Sequence, residues 1–156
     1  MKARARALQD FVERLNLLSL REITRQAGVQ SAMRVTCYYR DGQTLTSCAT
    51  LRCPQEGNCT LELVREGWFD ERPLRRSIGR DMIEKLNAAF SRAGFDRLDD
   101  QPATQQSVRV LWLVERSAGA FYHNVLLTPE IPQPPYSGIV NALDAYLPES
   151  IREIPK

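Results

Sequence analysis

The chain has 156 residues, of which 43% are hydrophobic and 26% are charged, and its formal net charge is +2. This composition is typical of a folded globular domain and argues against a disordered chain. The small net charge excludes a strong field for nucleic acid, and no apolar run approaches the roughly 18 residues that a membrane span requires. No apolar segment of a signal peptide follows the basic first residues, so we expect a cytoplasmic protein with reduced thiols.

The first predicted element is an amphipathic helix over residues 3–17, which is the main part of an N-terminal segment, residues 1–18. Its apolar residues recur at helical spacing between charges, at Leu8, Phe11, Val12 and Leu15. We expect this helix to cover an open sheet face, either in its own subunit or in a partner. Residues 20–25 are interpreted as a short strand that precedes a turn at Gly28.

Alternation of apolar and polar residues with a period of two predicts three strands, over residues 33–40, 44–53 and 59–63. They pair as consecutive antiparallel neighbours, because only short turns separate them. The edge near residues 44–50 carries few charges, and an uncharged edge can pair with another chain. We therefore predict a homodimer.

The turns between these strands fix the predicted register. A three-residue loop with a bulge at Gly42 keeps the apolar residues of the first two strands on one face, and it pairs Cys37 with Leu45. The following five-residue loop places Cys53 directly opposite Cys59.

All four cysteines lie in this region, at Cys37, Cys48, Cys53 and Cys59. In the predicted register Cys37 and Cys53 are about 27 Å apart, at about 3.3 Å per residue. A four-cysteine zinc site needs every sulfur about 2.3 Å from one ion. Cys48 points to the opposite, outward face, so only Cys53 and Cys59 meet. They form a reduced pair, a disulfide or two ligands of a metal site; the reduced pair is the favoured interpretation, and we assign neither a metal site nor a cofactor.

A long helix is predicted over about residues 72–92, with Pro73 in its first turn and Gly94 as its C-terminal cap. Its buried stripe is expected to contain Leu74, Ile78, Met82, Leu86, Ala89 and Phe90. The exposed face then carries four arginines, which are candidate partner-binding residues: Arg72, Arg75, Arg76 and Arg80. This surface suits phosphates or an acidic protein partner, or it is a solvated face paired with nearby carboxylates. No aromatic residues are interleaved with the arginines, which disfavours nucleic acid.

Residues 108–114 and 121–127 predict a second hairpin around a four-residue loop. In this register Trp112 pairs with Val125 and Val114 pairs with His123, which is the only histidine. Trp112 and His123 are therefore candidates for lining a pocket, and a structural imidazole is the alternative. No nucleophile or phosphate-binding loop accompanies the histidine, so no catalytic residue is assigned.

Residues 129–135 hold four prolines and predict an irregular connection to a last helix, about residues 136–147. No linker or repeat divides the chain. The prediction is one α+β domain, residues 1–156, with an antiparallel sheet of about five to six strands, two longer helices on one face and the N-terminal helix.

The order of two strands, a helix, a hairpin and a final helix resembles emfourin, the small inhibitor of protealysin-type metallopeptidases. The local likenesses are Arg25-Gln26-Ala27-Gly28 before the second strand and Ala93-Gly94-Phe95-Asp96-Arg97-Leu98 after the helix. The chain departs from that family by inserting the cysteine-bearing strands, and it has Gln26-Ala27 where the family has Ser-Gly. The resemblance implies a peptidase inhibitor.

The first hypothesis for function is a non-enzymatic module that binds a protein partner, with the peptidase inhibitor as one version of it. The second is a small-ligand or enzymatic site near His123 and Trp112. The third is nucleic-acid or acidic-partner binding through the arginines.

Overall fold

The computed structural model describes the backbone of residues 3–67 and 73–156, and the side chains of the same ranges from residue 6 onward. Within these ranges six strands form one antiparallel sheet in the order β4-β3-β2-β1-β5-β6. The strands are β1 (Ser31–Tyr39), β2 (Ser47–Cys53), β3 (Cys59–Arg65), β4 (Leu74–Ile78), β5 (Val110–Ala118) and β6 (Phe121–Leu127). The predicted α+β class with an antiparallel sheet is confirmed.

Four α-helices in the described ranges cover both faces of this sheet. They are α1 (Ala3–Arg14), α2 (Leu20–Thr24), α3 (Arg80–Arg92) and α4 (Tyr136–Tyr146). Helices α3 and α4 pack on the apolar face of the sheet, through Leu86, Phe90 and Leu143. Helices α1 and α2 lie on the other face, where Leu8 contacts the β5 and β6 leucines and Leu20 contacts Ala32. The N-terminal helix thus covers a sheet face of its own chain.

The prediction of a strand over residues 20–25 was wrong, because this segment is helix α2. Ser19 caps the helix by accepting a hydrogen bond from the Glu22 amide at 3.2 Å. Leu20 and Ile23 are both 1% exposed, so helical spacing places them together against the sheet. A segment of this length contains too few apolar residues to distinguish the two periods.

The predicted helix over residues 72–92 was also wrong in its first half, which is strand β4. Gly79 has an extended backbone, with φ −62° and ψ 143°, and it separates β4 from α3. The helix then buries Ile83, Leu86 and Phe90, whereas Leu74 and Met82 are exposed. Residue 72 lies outside the described ranges. The spacing of Leu74 and Ile78 suits a helix, but their segment extends the sheet beside β3.

Two of the three predicted hairpin registers, those of β1–β2 and β5–β6, require a shift of two residues. Cys37 pairs with Ser47 instead of Leu45, because Thr44 and Leu45 bond to the C-terminal segment and not to β1. The β2–β3 register was correct, with Leu51 opposite Leu61.

In the second hairpin Gly119, with φ +58°, allows a turn that is two residues shorter than expected. Trp112 therefore pairs with Leu127 and His123 pairs with Arg116. A shift of two keeps every side chain on its predicted face.

Strand β2 lies between β1 and β3, so the predicted uncharged edge at residues 44–50 is not an edge strand of the sheet. The described edge strands are β4 and β6. Within the described ranges no helix is long and apolar enough to cross a membrane.

Candidate functional site

The sheet face beneath α1 and α2 has apolar clusters at its sides and a buried polar centre, unlike the apolar face beneath α3 and α4. Its central side chains are at most 4% exposed, and they are Arg34, Thr36, Cys48, Thr50, Glu115 and Ser117. Buried polar groups are costly unless they find hydrogen-bond partners. A covered face with this composition therefore needs its partners to be identified one by one.

Arg34 and Glu115 are directly opposite each other on β1 and β5. Arg34 is 2% exposed, and its Nε donates to Thr50 Oγ1 at 2.9 Å, while Nη2 donates to the Leu18 carbonyl at 2.8 Å. Among the described side chains no carboxylate lies within 4.0 Å of its guanidinium. Among the described residues, the hydrogen bonds of this buried positive charge thus end on neutral oxygens.

Glu115 is 3% exposed, and among the described residues only one of its two carboxylate oxygens accepts hydrogen bonds. Its Oε1 accepts from the Tyr122 hydroxyl at 2.6 Å and from Gln9 Nε2 at 3.2 Å. Its Oε2 is buried and has no hydrogen-bond partner among the described residues. A buried carboxylate oxygen without a hydrogen bond is energetically unfavourable, and a donor from a bound molecule would satisfy it.

Tyr122 holds the Glu115 carboxylate as a permanent hydrogen-bond donor. Burial, and then the nearby Glu115 charge, raise the pKa of Tyr122 far above its usual range, so the phenol keeps its proton. Gln9 Nε2 also donates to the Tyr122 hydroxyl at 2.7 Å, which ties α1 to β6. The guanidinium carbon of Arg21 lies 4.6 Å from the Tyr122 ring centre and closes this end by a cation–π contact.

A cavity of about 230 Å³ opens beside these groups, between α1, α2 and the sheet. Glu115 and Arg34 contribute to its floor, and exposed Glu13 and Arg21 lie at its rim. The complete lining is Gln9, Val12, Glu13, Leu17, Ser19, Leu20, Arg21, Arg34, Glu115 and Tyr122. The unpartnered oxygen of Glu115 therefore belongs to a side chain that borders an open space large enough for a small molecule.

Local interactions hold the roof of this cavity in place. The Ser19 cap starts α2, and Thr24 Oγ1 lies 2.9 Å from Ser117 Oγ, which attaches the end of α2 to β5. The turn before α2 places the Leu18 carbonyl on Arg34. The roof and the floor of the cavity are thus joined by hydrogen bonds at both ends.

Nucleophilic chemistry is not supported at this site. Cys48 is the nearby thiol on the same face, and it is 1% exposed rather than outward as predicted. Burial raises the pKa of Cys48, and Arg34 opposes that shift only in part. A protonated, enclosed thiol is a poor nucleophile, so binding is the chemistry that the arrangement favours.

The structure does not bring Trp112 and His123 together around a pocket. Trp112 is 4% exposed in the core beneath α3 and α4. The Nε2 of His123 lies 2.8 Å from the Leu98 carbonyl, and its ring packs edge-on against Phe95 with 5.6 Å between ring centres. These contacts fit the alternative of a structural imidazole.

The predicted arginine surface is divided between two elements. Arg75 and Arg76 are successive residues of strand β4, so they point to opposite faces, and Arg72 lies outside the described ranges. Arg75 forms an ion pair with Glu62 at 3.2 Å. Arg80 donates to the carbonyls of the β2–β3 turn, at Gly57 and Pro54, which gives it a structural role.

The four cysteines are dispersed much as the register predicted. Cys53 and Cys59 form a disulfide across the β2–β3 hairpin, with 4.4 Å between their Cα atoms, so the favoured interpretation as a reduced pair was wrong and the alternative of a disulfide is correct. Cys37 and Cys48 are free and lie on opposite faces of the sheet, and burial raises the pKa of Cys37 to about 12. Among the described residues no group of three or more histidine, cysteine, aspartate or glutamate side chains is placed to hold a metal ion.

Sequence reasoning missed Arg34, Glu115 and the groups around them. One signal for a buried charge was present in the sequence. Glu115 directly follows the run Val110–Val114, whose apolar residues occupy both faces of the strand. A charge in such a strand is buried on one face or lies at its end.

Comparison with protein-family models and with curated proteins finds no match for this chain. The resemblance to emfourin therefore remains a hypothesis that depends on two short segments.

Proposed function

We propose that this protein is a non-enzymatic binding protein that takes a small polar molecule into the cavity beneath α1 and α2. The observation that carries the proposal is Glu115 Oε2, a buried carboxylate oxygen that has no hydrogen-bond partner among the described residues and belongs to a side chain that borders the cavity. Leaving such an acceptor unsatisfied destabilises the fold, so a ligand that supplies a donor is the simplest reason for its presence. We further propose a cytoplasmic location, as the sequence suggests.

Occlusion of the cavity provides the test. A panel of amino acids, primary amines, carboxylates and monosaccharides is screened by ligand-observed NMR against the wild-type protein. Leu17 lines the cavity and its neighbour Leu18 is exposed, so Leu17→Trp blocks the space and Leu18→Trp is the matched control. We expect at least one saturable ligand, lost in L17W and retained in L18W. Failure of every panel member to bind would contradict the proposal.

A second candidate function, binding of a protein partner, is favoured by strand β4. Residues 74–77 of this edge strand are exposed, including Leu74 at 46%. An exposed edge can accept an extended segment of another chain through backbone hydrogen bonds. Arg76 on this strand favours an acidic segment, whereas Arg75 is paired with Glu62, and a second copy of the chain is the alternative occupant.

Charge reversal on β4 tests this second function. Arg76→Glu should abolish retention of an acidic partner in a pull-down, while Arg92→Glu, on the exposed end of α3, should not. Light scattering of the purified protein then identifies a second copy as the occupant if the mass is twice 17.8 kDa. A monomer whose retained partners are indifferent to R76E would contradict this function.

A further inference from the structure

We propose that the cavity takes a small zwitterion, namely a free amino acid or a molecule built like one, with an aliphatic side chain. This inference rests on the proposed function and adds the chemical class of the ligand. Three features of the described residues carry it: a carboxylate oxygen without a partner among them, a guanidinium without a carboxylate partner among them, and an apolar wall.

Glu115 Oε2 determines where the positive group of the ligand lies. The other oxygen, Oε1, already accepts from Gln9 and Tyr122, so Oε2 is the remaining acceptor. Oε2 is closed to solvent in the ligand-free structure, so a ligand reaches it once the Glu115 carboxylate turns toward the cavity. A charged N–H donor satisfies a carboxylate best, because charge-assisted hydrogen bonds are stronger than neutral ones. Among the described side chains no basic group lies within 4.0 Å of the Glu115 carboxylate, and an ammonium supplies that contact.

Arg34 determines where the negative group lies. Arg34 lines the same cavity, and the two hydrogen bonds that its guanidinium donates among the described residues end on neutral oxygens, of Thr50 and Leu18. Although Arg34 and Glu115 are directly opposite across β1 and β5, no ion pair joins them among the described side chains. A ligand with a carboxylate near its ammonium therefore compensates both charges, and guanidinium is well suited to bind carboxylate.

The remaining wall and the volume limit the rest of the molecule. Val12, Leu17 and Leu20 give the cavity an aliphatic side, which suits an apolar substituent. The cavity, at about 230 Å³, is smaller than the roughly 300–1,000 Å³ of sites for drug-sized ligands. The floor carries one charge of each sign, so a ligand without net charge is preferred.

Three matched probes test the inference by isothermal titration calorimetry: L-leucine, 3-methylbutylamine, which lacks its carboxylate, and 4-methylpentanoate, which lacks its amine. We expect L-leucine to bind at least about tenfold more tightly than either, because each analogue loses one hydrogen bond to a buried charge.

A variant of the floor tests the assigned position of the ammonium. Glu115→Gln should weaken L-leucine binding by at least about tenfold and affect 4-methylpentanoate less, because that probe lacks the amine. Glu56→Gln, in the exposed β2–β3 turn, is the matched control and should leave binding unchanged. If E115Q does not fold, the three probes on the wild-type protein still decide the question.

The outcomes separate this inference from the proposed function. Equal binding of L-leucine and 3-methylbutylamine would overturn the inference that the ligand is a zwitterion. Binding of other panel molecules while all three probes fail would overturn it too. The proposed small-ligand function would stand in both cases. Failure of the entire panel would overturn both. Tight binding of L-leucine that is unchanged in E115Q would overturn the assigned site.

Discussion

Arg34 and Glu115 are buried charges that are neighbours in the sheet but are not joined by an ion pair. Arg34 donates instead to Thr50 and Leu18, and one oxygen of Glu115 has no hydrogen-bond partner in the part of the chain that the structure describes. A buried charge without an opposite partner destabilises a fold. Residues that bind a ligand often reduce stability in its absence, and the arrangement of this pair is of that kind.

Replacement of Glu115 by glutamine should therefore raise the free energy of unfolding of the ligand-free protein by about 1 kcal/mol, because it removes a buried charge and keeps an acceptor for Tyr122. Tyr122→Phe should lower that free energy by about 1–2 kcal/mol, since it removes the donor at 2.6 Å from Glu115. Urea unfolding measures both, with Glu56→Gln as a control. A loss of about 3 kcal/mol or more in E115Q would indicate a structural ion pair with Arg34 instead.

The Cys53–Cys59 bridge gives a second prediction at this scale. In purified protein unfolded without reductant, we expect only the two free cysteines, Cys37 and Cys48, to react with a thiol reagent. The bridge closes a loop with a sequence separation of 6, so reduction should lower the free energy of unfolding by about 2 kcal/mol. Four reactive thiols before reduction would contradict it.

Cytoplasm normally keeps thiols reduced, so the same titration also tests the proposed location. If the protein is cytoplasmic, all four cysteines should react when cells are quenched in acid and the protein is then alkylated under denaturing conditions, which expose the buried thiols. If only two react, the protein folds in an oxidising compartment.

Among the elements, the boundary between β4 and α3 depends on Gly79, which caps the helix without a side-chain hydrogen bond. Gly79→Ser should therefore be more stable than Gly79→Ala by about 1 kcal/mol, because serine caps a helix and alanine does not. A continuous helix through residue 79 would give the opposite order, since alanine is the better interior residue. Neither side chain is hindered, because a Cβ at Gly79 meets nothing within 4 Å. Thermal unfolding of the two variants decides between these structures.

The loop between β1 and β2 is fixed by Asp41, which accepts from the Gln43 amide at 2.8 Å and from Arg109 Nη1 at 2.8 Å. These bonds, that of Gln43 first, lower the pKa of Asp41 from its usual 3.8 to about 2. Since the folded protein has the lower pKa, this contribution to stability is present above about pH 4 and is lost as the pH falls towards 2.

Between pH 4 and pH 2 the free energy of unfolding of Asp41→Asn should accordingly fall less than that of the wild type. At pH 7 the variant should be the less stable of the two. Urea unfolding of both proteins across that range measures the difference. Parallel pH profiles would show that Asp41 does not titrate with folding.

The sequence predicts elements where one period extends over enough residues, as in the N-terminal helix, in β1 to β3 and in α4. It fails at residues 74–78, because Leu74 and Ile78 fit helical spacing and only pairing with β3 shows the segment to be a strand. The loop after β1 is longer than predicted because the distant residues 154–156 compete for its backbone groups.

The candidate site illustrates the same limit more strongly. Arg34 alternates with apolar residues and is expected to face solvent, yet α1 and α2 cover it. Glu115 meets Gln9, which is 106 residues away in the chain. Contacts of this kind depend on how helices pack on the sheet, and local periodicity contains no information about them.

At the scale of the whole molecule, the sheet separates two different environments. One face is an apolar core with α3 and α4, which supplies the stability of the fold. The other face holds buried charges, a cavity and a roof attached by a few hydrogen bonds, at Gln9, Leu18 and Thr24. This division allows a binding site to be kept on a sheet whose stability comes largely from the opposite side.

The most direct test of this account is a crystal structure of the protein grown with saturating L-leucine. We predict density in the cavity between α1, α2 and the sheet, with the amine nitrogen about 2.7–2.9 Å from Glu115 Oε2 and the carboxylate on Arg34. An empty cavity in which the Arg34 guanidinium forms a direct ion pair with Glu115 would contradict it.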